Sequence, residues 1–169
     1  MRTFLGSLLS ILLLSSCATP EPATKLEKAN VLPLELNDNF EFRKQKLDFY
    51  DNKPMPLTTS EPVIFERQRL EWGAVGWMER EERYGNYFTF FWRTSERADV
   101  TVRLEYRQSA LGNYVMAMER YYPEAKGSYK SEFQVIGDDF LEFGQVTSWR
   151  CLLIVDGRIV GLTQSFIWK

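Results

Sequence analysis

The side chains that most often carry out chemistry in proteins are scarce in this sequence. The chain contains no histidine and two cysteines, Cys17 and Cys151. The absence of histidine removes the commonest general base and the commonest metal ligand, together with Ser-His-Asp and Cys-His arrangements. The sequence also lacks a glycine-rich phosphate loop, a CxxC pair and a GxSxG motif. It therefore predicts a protein that is not an enzyme and needs no cofactor.

Acidic side chains are the remaining source of catalytic groups. A glycosidase needs only two carboxylic acids that face each other across a cleft, and Glu79, Glu81 and Glu82 lie close together in the sequence. Their alternation with arginines is more typical of a solvated, charge-paired strand end or loop. A carboxylate-dependent glycan hydrolase is therefore the weakest functional alternative.

A second acidic group follows Gly137. Asp138, Asp139 and Glu142 offer the hard oxygen ligands that Ca²⁺ prefers. Their spacing does not match the ligand order of an EF-hand loop, and adjacent acids after glycine are usual in turns. We therefore predict a solvated turn without a metal and keep these three residues as weak calcium candidates.

The amino-terminal residues form a targeting signal. Arg2 is the only charged residue among the first twenty, an apolar stretch runs from Phe4 to Leu14, and two serines then lead into Cys17. A positive start, a short apolar segment and small residues describe an export signal that is too short to span a bilayer comfortably. An ordinary secretory signal with an incidental cysteine is the alternative interpretation.

The segment Leu14-Ser15-Ser16-Cys17 resembles the lipobox of bacterial lipoproteins. The resemblance implies diacylglyceryl transfer to the sulfur of Cys17, cleavage before this residue, and acylation of the new amino terminus. Two or three acyl chains hold a protein stably at a bilayer, whereas one chain gives only marginal binding. Ala18 follows the cysteine, which in Gram-negative lipoproteins implies the outer membrane, with the domain facing the periplasm.

The charge balance limits the partners. The chain carries 21 basic and 23 acidic side chains, with a formal net charge of −2, and the two signs are interspersed. This balance argues against nucleic acid or an anionic membrane surface as an electrostatic partner. The expected partners are the membrane, through the lipid anchor, and a protein or glycan of the envelope.

Cys151 is the only thiol that remains once Cys17 is lipidated, so the mature domain can form no internal disulfide. It lies in an apolar run over residues 149–155 that is typical of a strand. We predict that Cys151 is buried as a small hydrophobic side chain.

The chain divides into three parts. Residues 1–16 are the signal peptide, residues 17–39 are the lipidated amino terminus and a tether, and residues 40–169 are the folded domain. Prolines near the start of the tether disfavour a helix, and the apolar residues 31–36 can dock against the domain. Roughly 130 residues remain for the domain, which is enough for one hydrophobic core.

A period of two dominates the domain. Val100, Val102, Leu104 and Tyr106 alternate with polar residues, as in a half-buried strand. Similar alternation occurs over residues 88–92, 114–119 and 129–135, with weaker candidates at 40–49 and 63–70.

The strongest local pattern is a carboxy-terminal hairpin. Two apolar runs, Val146–Val155 and Arg158–Trp168, flank Asp156-Gly157. This dipeptide favours the type I′ turn that joins paired strands. In the second arm we expect one buried face to be shared by Val160, Leu162, Phe166 and Trp168.

Strands recur about every 12–15 residues and are separated by Gly, Pro, Asn or Asp. About seven strands and no convincing helix predict an all-β fold, a two-layer antiparallel β-sandwich. The spacing resembles that of an immunoglobulin-like or fibronectin type III module, without the cysteine pair of antibody domains. A small open barrel is the alternative fold.

Aromatic residues make up 15% of the chain, and β-sandwich carbohydrate-binding modules stack sugar rings on exposed Trp and Tyr. Most aromatic residues here alternate within strands, where core packing explains them. Four lie in runs with no clear inward face and are our candidates for glycan or partner contacts: Trp72, Trp77, Tyr121 and Tyr122. The sequence favours a lipid-anchored, non-catalytic structural or interaction module, with a carbohydrate-binding module as the alternative.

Overall fold

A computed structural model describes residues 22–51, 59–70, 73–74 and 76–168. The predicted lipid-carrying Cys17 and the candidate contact Trp72 lie outside these ranges. The described residues form six strands, three α-helices and one turn of 3₁₀ helix, Ser109–Leu111. The strands are β1 Thr24–Leu26, β2 Phe40–Tyr50, β3 Gly85–Gln108, β4 Met116–Ile136, β5 Val146–Val155 and β6 Arg158–Gln164. The helices are α1 Glu61–Leu70, α2 Trp77–Glu82 and α3 Asp138–Phe143.

The six strands pair antiparallel in one sheet that is folded over on itself. The first layer contains β2 and the parts of β3 and β4 near Gly85 and Ile136, and the second layer contains the other halves of these two strands with β1, β5 and β6. The pairing of β3 with β4 is irregular between Thr94 and Val100, where the sheet bends. The predicted antiparallel all-β sandwich is confirmed, and its layers are halves of one continuous sheet.

The core lies between the two layers. The ring of Trp149 in the second layer lies 5.3 Å from that of Phe90 and 6.3 Å from that of Phe88 in the first, measured between centroids. Burying each large apolar side chain contributes about 1.5–3 kcal/mol. The predicted inward alternation in β3 is confirmed, since its four residues are fully buried: Val100, Val102, Leu104 and Tyr106.

Cys151 is free and fully buried in this core, as predicted. Burial raises the pKa of its thiol well above the ordinary value, because the charged form is desolvated. The thiolate is the reactive species of cysteine. The protonated Cys151 side chain therefore acts as a packing residue.

The carboxy-terminal hairpin is confirmed, with positive φ angles of 49° at Asp156 and 72° at Gly157. The second arm departs from strict alternation, because Ile154 pairs with Ile159 while Leu153 pairs with Gly161. The additional residue, Val160, forms a β-bulge.

This bulge shifts the alternation of the following residues by one position. Val160 packs in the core, whereas Leu162 lies on the outer face of the second layer and is 38% exposed. Phe166 is fully exposed, whereas Trp168 is buried against Arg107 and Arg150, apart from the main core cluster. The predicted shared face of these four apolar residues is therefore wrong.

Two helices and two bends replace predicted strands and turns. Residues 63–70 belong to α1, whose first turn contains Pro62, where a missing amide donor has no cost. The charged run around Glu79 belongs to α2. Residues 95–99 and 123–127 are bends within β3 and β4, so fewer strands form than the seven predicted.

Part of the predicted tether is packed onto the domain. Strand β1 pairs with β4, with Thr24 opposite Glu119. Further along, the amide of Glu35 donates to the carbonyl of Ile159 (2.9 Å), and that of Asn37 donates to the carbonyl of Val160 (3.0 Å). Residues 24–37, which we call the strap, therefore cross the outer face of the second layer and connect with the strands at both of its edges.

We predict that Val102→Asp unfolds the domain, because it places an unpaired carboxylate in a site with no solvent access. The expected loss in the free energy of unfolding is about 4 kcal/mol or more, measured by urea denaturation. Leu162→Asp is the matched control: it lies near Arg103 and Arg150 on the outer face and is expected to cost about 1 kcal/mol or less. Equal losses in the two variants would contradict the assigned faces.

Candidate functional site

Helices α2 and α3 meet at one end of the sandwich, which we call the open end. The bends of β3 and β4 join the two layers at the opposite end. Helix α2 precedes β3 and α3 follows β4, and the strand ends pair through Gly85 and Ile136. Gly137, which joins β4 to α3, has a φ of +60°, and a Cβ atom on it would lie 3.0 Å from the carbonyl oxygen of Glu82. Glycine at this position therefore allows α2 and α3 to approach closely.

A groove of about 210 Å³ lies between these helices. Three apolar side chains line it with high exposure: Trp77 is 70% exposed, Met78 62% and Leu141 52%. Three carboxylates line it as well: Glu81, Glu82 and Asp138. In the part of the chain that the structure describes, no lysine or arginine lines the groove. We call this set, together with Gly137, the open-end groove. It combines an exposed apolar surface with negative charge.

The α3 wall of the groove is held from three sides. Phe140 is buried against Tyr84, with ring centroids 4.8 Å apart, and against Phe49 at 5.7 Å. The side-chain amide of Gln108 donates to the carbonyls of Asp139 (3.0 Å) and Gly144 (2.9 Å). These contacts fix α3 relative to the sheet.

The third contact comes from the strap, because the Lys25 ammonium donates to the carboxylate of Asp139. Gln108 is fully buried, so the polar support of α3 lies inside the sandwich. Helix α3 is therefore a fixed wall of the groove, held by Lys25, Gln108 and the aromatic residues around Phe140.

Of the predicted contact residues that the structure describes, only Trp77 lies in this groove. Tyr121 is exposed near the bend, at the opposite end of the sandwich, and its hydroxyl is hydrogen bonded to Asp99. This hydrogen bond raises the pKa of Tyr121. The structure therefore does not bring Trp77 and Tyr121 together.

Tyr122 is a core residue, and its predicted role as a surface contact is wrong. Its hydroxyl lies 2.7 Å from that of Ser131, and its ring packs edge-on against Trp92 at 5.2 Å. Pairing with Val100 places Tyr122 on the inner face of the sheet. Burial raises the pKa of its phenol.

The three weak calcium candidates lie on α3. Asp138 faces the open-end groove, Asp139 accepts the hydrogen bond from Lys25, and Glu142 is exposed. They belong to a short helix, whereas a turn was predicted. Among the described residues, no group of three or more His, Cys, Asp or Glu side chains is arranged to hold a metal ion.

Sequence reasoning missed a buried charge network beneath the strap. Arg103 Nε lies 2.6 Å from Glu119 Oε1, and Arg150 Nε lies 2.6 Å from Glu105 Oε2. Arg103 also approaches the other oxygen of Glu105 at 3.6 Å. Its guanidinium donates to the carbonyl of Asn30 in the strap at 2.9 Å.

In the sequence, Arg103 and Glu105 alternate with apolar residues, a pattern that predicts the polar, solvated face of a half-buried strand. The strap covers that face, and the Glu105 side chain is only 4% exposed. Both carboxylates of the network are paired with guanidinium groups, so the arrangement positions the strap and offers no free acid. Nothing in the local pattern could have revealed this, because the covering segment is about 70 residues away in the chain.

No protein-family model, no curated protein and no solved structure matches this chain. Among the residues that the structure describes, no helix has both the length and the apolar character required to cross a membrane.

We predict that Glu105→Gln destabilises the domain by about 3 kcal/mol, because it removes a buried charge and leaves two guanidinium groups without their shared partner. Glu35→Gln is the control, since it breaks the exposed pair with Arg158, and should cost less than about 1 kcal/mol. Both are measured by urea denaturation. A loss for Glu105→Gln no larger than for the control would contradict a structural role for the network.

Proposed function

We propose that this protein is a lipid-anchored component of the bacterial cell envelope whose β-sandwich is a non-catalytic interaction module. The observation that carries the interaction role is the open-end groove, where Trp77, Met78 and Leu141 expose apolar surface side by side. Contiguous exposed apolar surface is typical of binding sites. The lipobox-like segment ending at Cys17 supports the anchor.

The strap determines how far the domain can stand from its anchor. Six residues separate Cys17 from Thr24, where β1 begins, and the seven Cα-to-Cα steps between them reach about 25 Å at most. A free tether over the whole of residues 17–39 would reach about three times as far. The packed strap therefore supports a domain that works close to its own membrane.

The non-catalytic role is supported by the chemistry of the site. The sequence contains no histidine, and the buried carboxylates of the charge network are paired with arginines. The groove is also smaller than the roughly 300–1,000 Å³ typical of small-molecule sites. Hydrolysis of glycan substrates by the purified protein would contradict this role.

Carbohydrate binding is the second candidate, and the exposure of Trp77 favours it. Sugar recognition usually combines several aromatic platforms. Here Tyr122 is in the core and Tyr121 is at the far end of the sandwich, so one of the described candidate rings remains at the groove. A groove with one aromatic ring beside Met78 and Leu141 is better suited to a protein segment than to a sugar.

We predict that Cys17→Ala moves the protein from the membrane fraction to the soluble fraction and abolishes incorporation of labelled fatty acid, because the acceptor sulfur is lost. Cys151→Ala is the matched control, since Cys151 is buried in the core, and should leave both labelling and fractionation unchanged. Labelling that persists in Cys17→Ala, or that disappears in Cys151→Ala, would refute the proposed anchor.

A further inference from the structure

We propose that the open-end groove binds a polypeptide segment in which an apolar side chain is flanked by lysine or arginine. The inference deepens the proposed function, and it rests on that function for the location of the partner in the envelope. It assigns the partner's chemistry from the shape and charge of the groove.

The size of the groove selects one anchoring side chain. Its volume of about 210 Å³ lies below the range of ordinary small-molecule pockets, roughly 300–1,000 Å³. Protein interfaces commonly place one large side chain in such a pocket and surround it with weaker contacts. Trp77 and Met78 on α2 and Leu141 on α3 provide apolar surface on both walls.

The charge of the groove selects the flanking residues. Glu81, Glu82 and Asp138 line it, and no basic side chain does so among the residues with a described position. Complementary charges across an interface speed association and exclude wrong partners. In a partner segment with lysine or arginine beside an apolar side chain, the apolar side chain would contact the exposed apolar surface of the groove. The basic side chain would pair with its carboxylates.

The same carboxylates argue against an anionic bilayer as the occupant. Burying Trp77 and Leu141 in headgroups would bring three acidic side chains to a surface of like charge. A second copy that packed its own groove here would bring the same three carboxylates together. A basic protein segment is the occupant that the observations favour.

The geometry of the groove supports a preformed site. Gly137 allows the α2 and α3 backbones to lie close together, and Asp139 and Phe140 fix α3 through Lys25 and the sheet. A wall that is already positioned loses less conformational entropy on binding. The groove between α2 and α3 is therefore open in the unbound protein, with Trp77 exposed.

The test is photocrosslinking in intact cells that express the full-length chain with a benzophenone amino acid in place of Met78. The crosslinked partner is digested and the attached peptide is sequenced by mass spectrometry. We expect one peptide with an apolar residue flanked by lysine or arginine at the crosslink. In the same labelled chain, Trp77→Ala or Leu141→Ala should reduce its yield at least roughly tenfold, a ratio typical of lost anchor contacts.

Charge is tested with Glu81→Lys, which we expect to reduce the yield about tenfold because it reverses a groove carboxylate. Two control variants should leave the yield unchanged. Glu41→Lys reverses an exposed charge on β2, and Phe166→Ala removes a fully exposed ring away from the groove. Retained thermal stability of each variant shows that a lost crosslink does not come from unfolding.

Crosslinks to phospholipid, to glycan or to a second copy of the chain would each overturn the inference. A peptide without basic residues, the absence of any crosslink, or a yield insensitive to Glu81→Lys would do so as well. The proposed anchor is judged separately, by fractionation of the wild-type chain and of Cys17→Ala. A membrane-bound protein without the expected crosslink defeats this inference alone, and a soluble protein that still gives the crosslink defeats the anchor alone.

Discussion

Two strands belong to both layers of the sandwich, and the rest of the structure depends on their bending at the same place. At the bend the amide of Glu124 donates to the side chain of Asp99 at 2.8 Å, and the hydroxyl of Thr94 donates to the carbonyl of Glu96 at 2.7 Å. These bonds satisfy polar groups in the stretch where the regular pairing of β3 and β4 is interrupted. The bend encloses the core, and it places the free strand ends opposite each other, where α2 and α3 cover them.

The alternation of residues in β3 and β4 predicted the buried faces because it is a local property of each strand. The bends could not be distinguished from turns, since residues 95–99 are mostly polar and residues 123–127 contain proline and glycine, as in loops. The bulge at Val160 depends on which residue faces Leu153, and the buried state of Arg103 and Glu105 depends on the strap. The bulge is set by the register across the hairpin, and the buried charges are set by a segment about 70 residues away. Neither can be read from one strand alone.

The candidate site was predictable to a similar degree. Trp77 was identified as a contact residue because its run had no clear inward face, and the structure exposes it. Tyr122 was misassigned because its face is set by pairing with Val100. The opposite wall of the groove comes from residues 137–141, about 60 positions away. Gly137 gave a local signal, but its role is the close approach to Glu82, which is visible only in three dimensions.

The strap connects the proposed anchor to the proposed binding surface. It begins seven residues after Cys17, its Lys25 binds α3 of the open-end groove, and its Asn30 carbonyl accepts a hydrogen bond from Arg103 of the buried network. The buried ion pairs favour one position of the strap, because moving it would expose and partly unpair charges that are otherwise enclosed. A lipid at Cys17 would therefore keep the start of β1, and with it the Lys25 contact to α3, within about 25 Å of the bilayer. A free tether over residues 17–39 would allow about three times that distance.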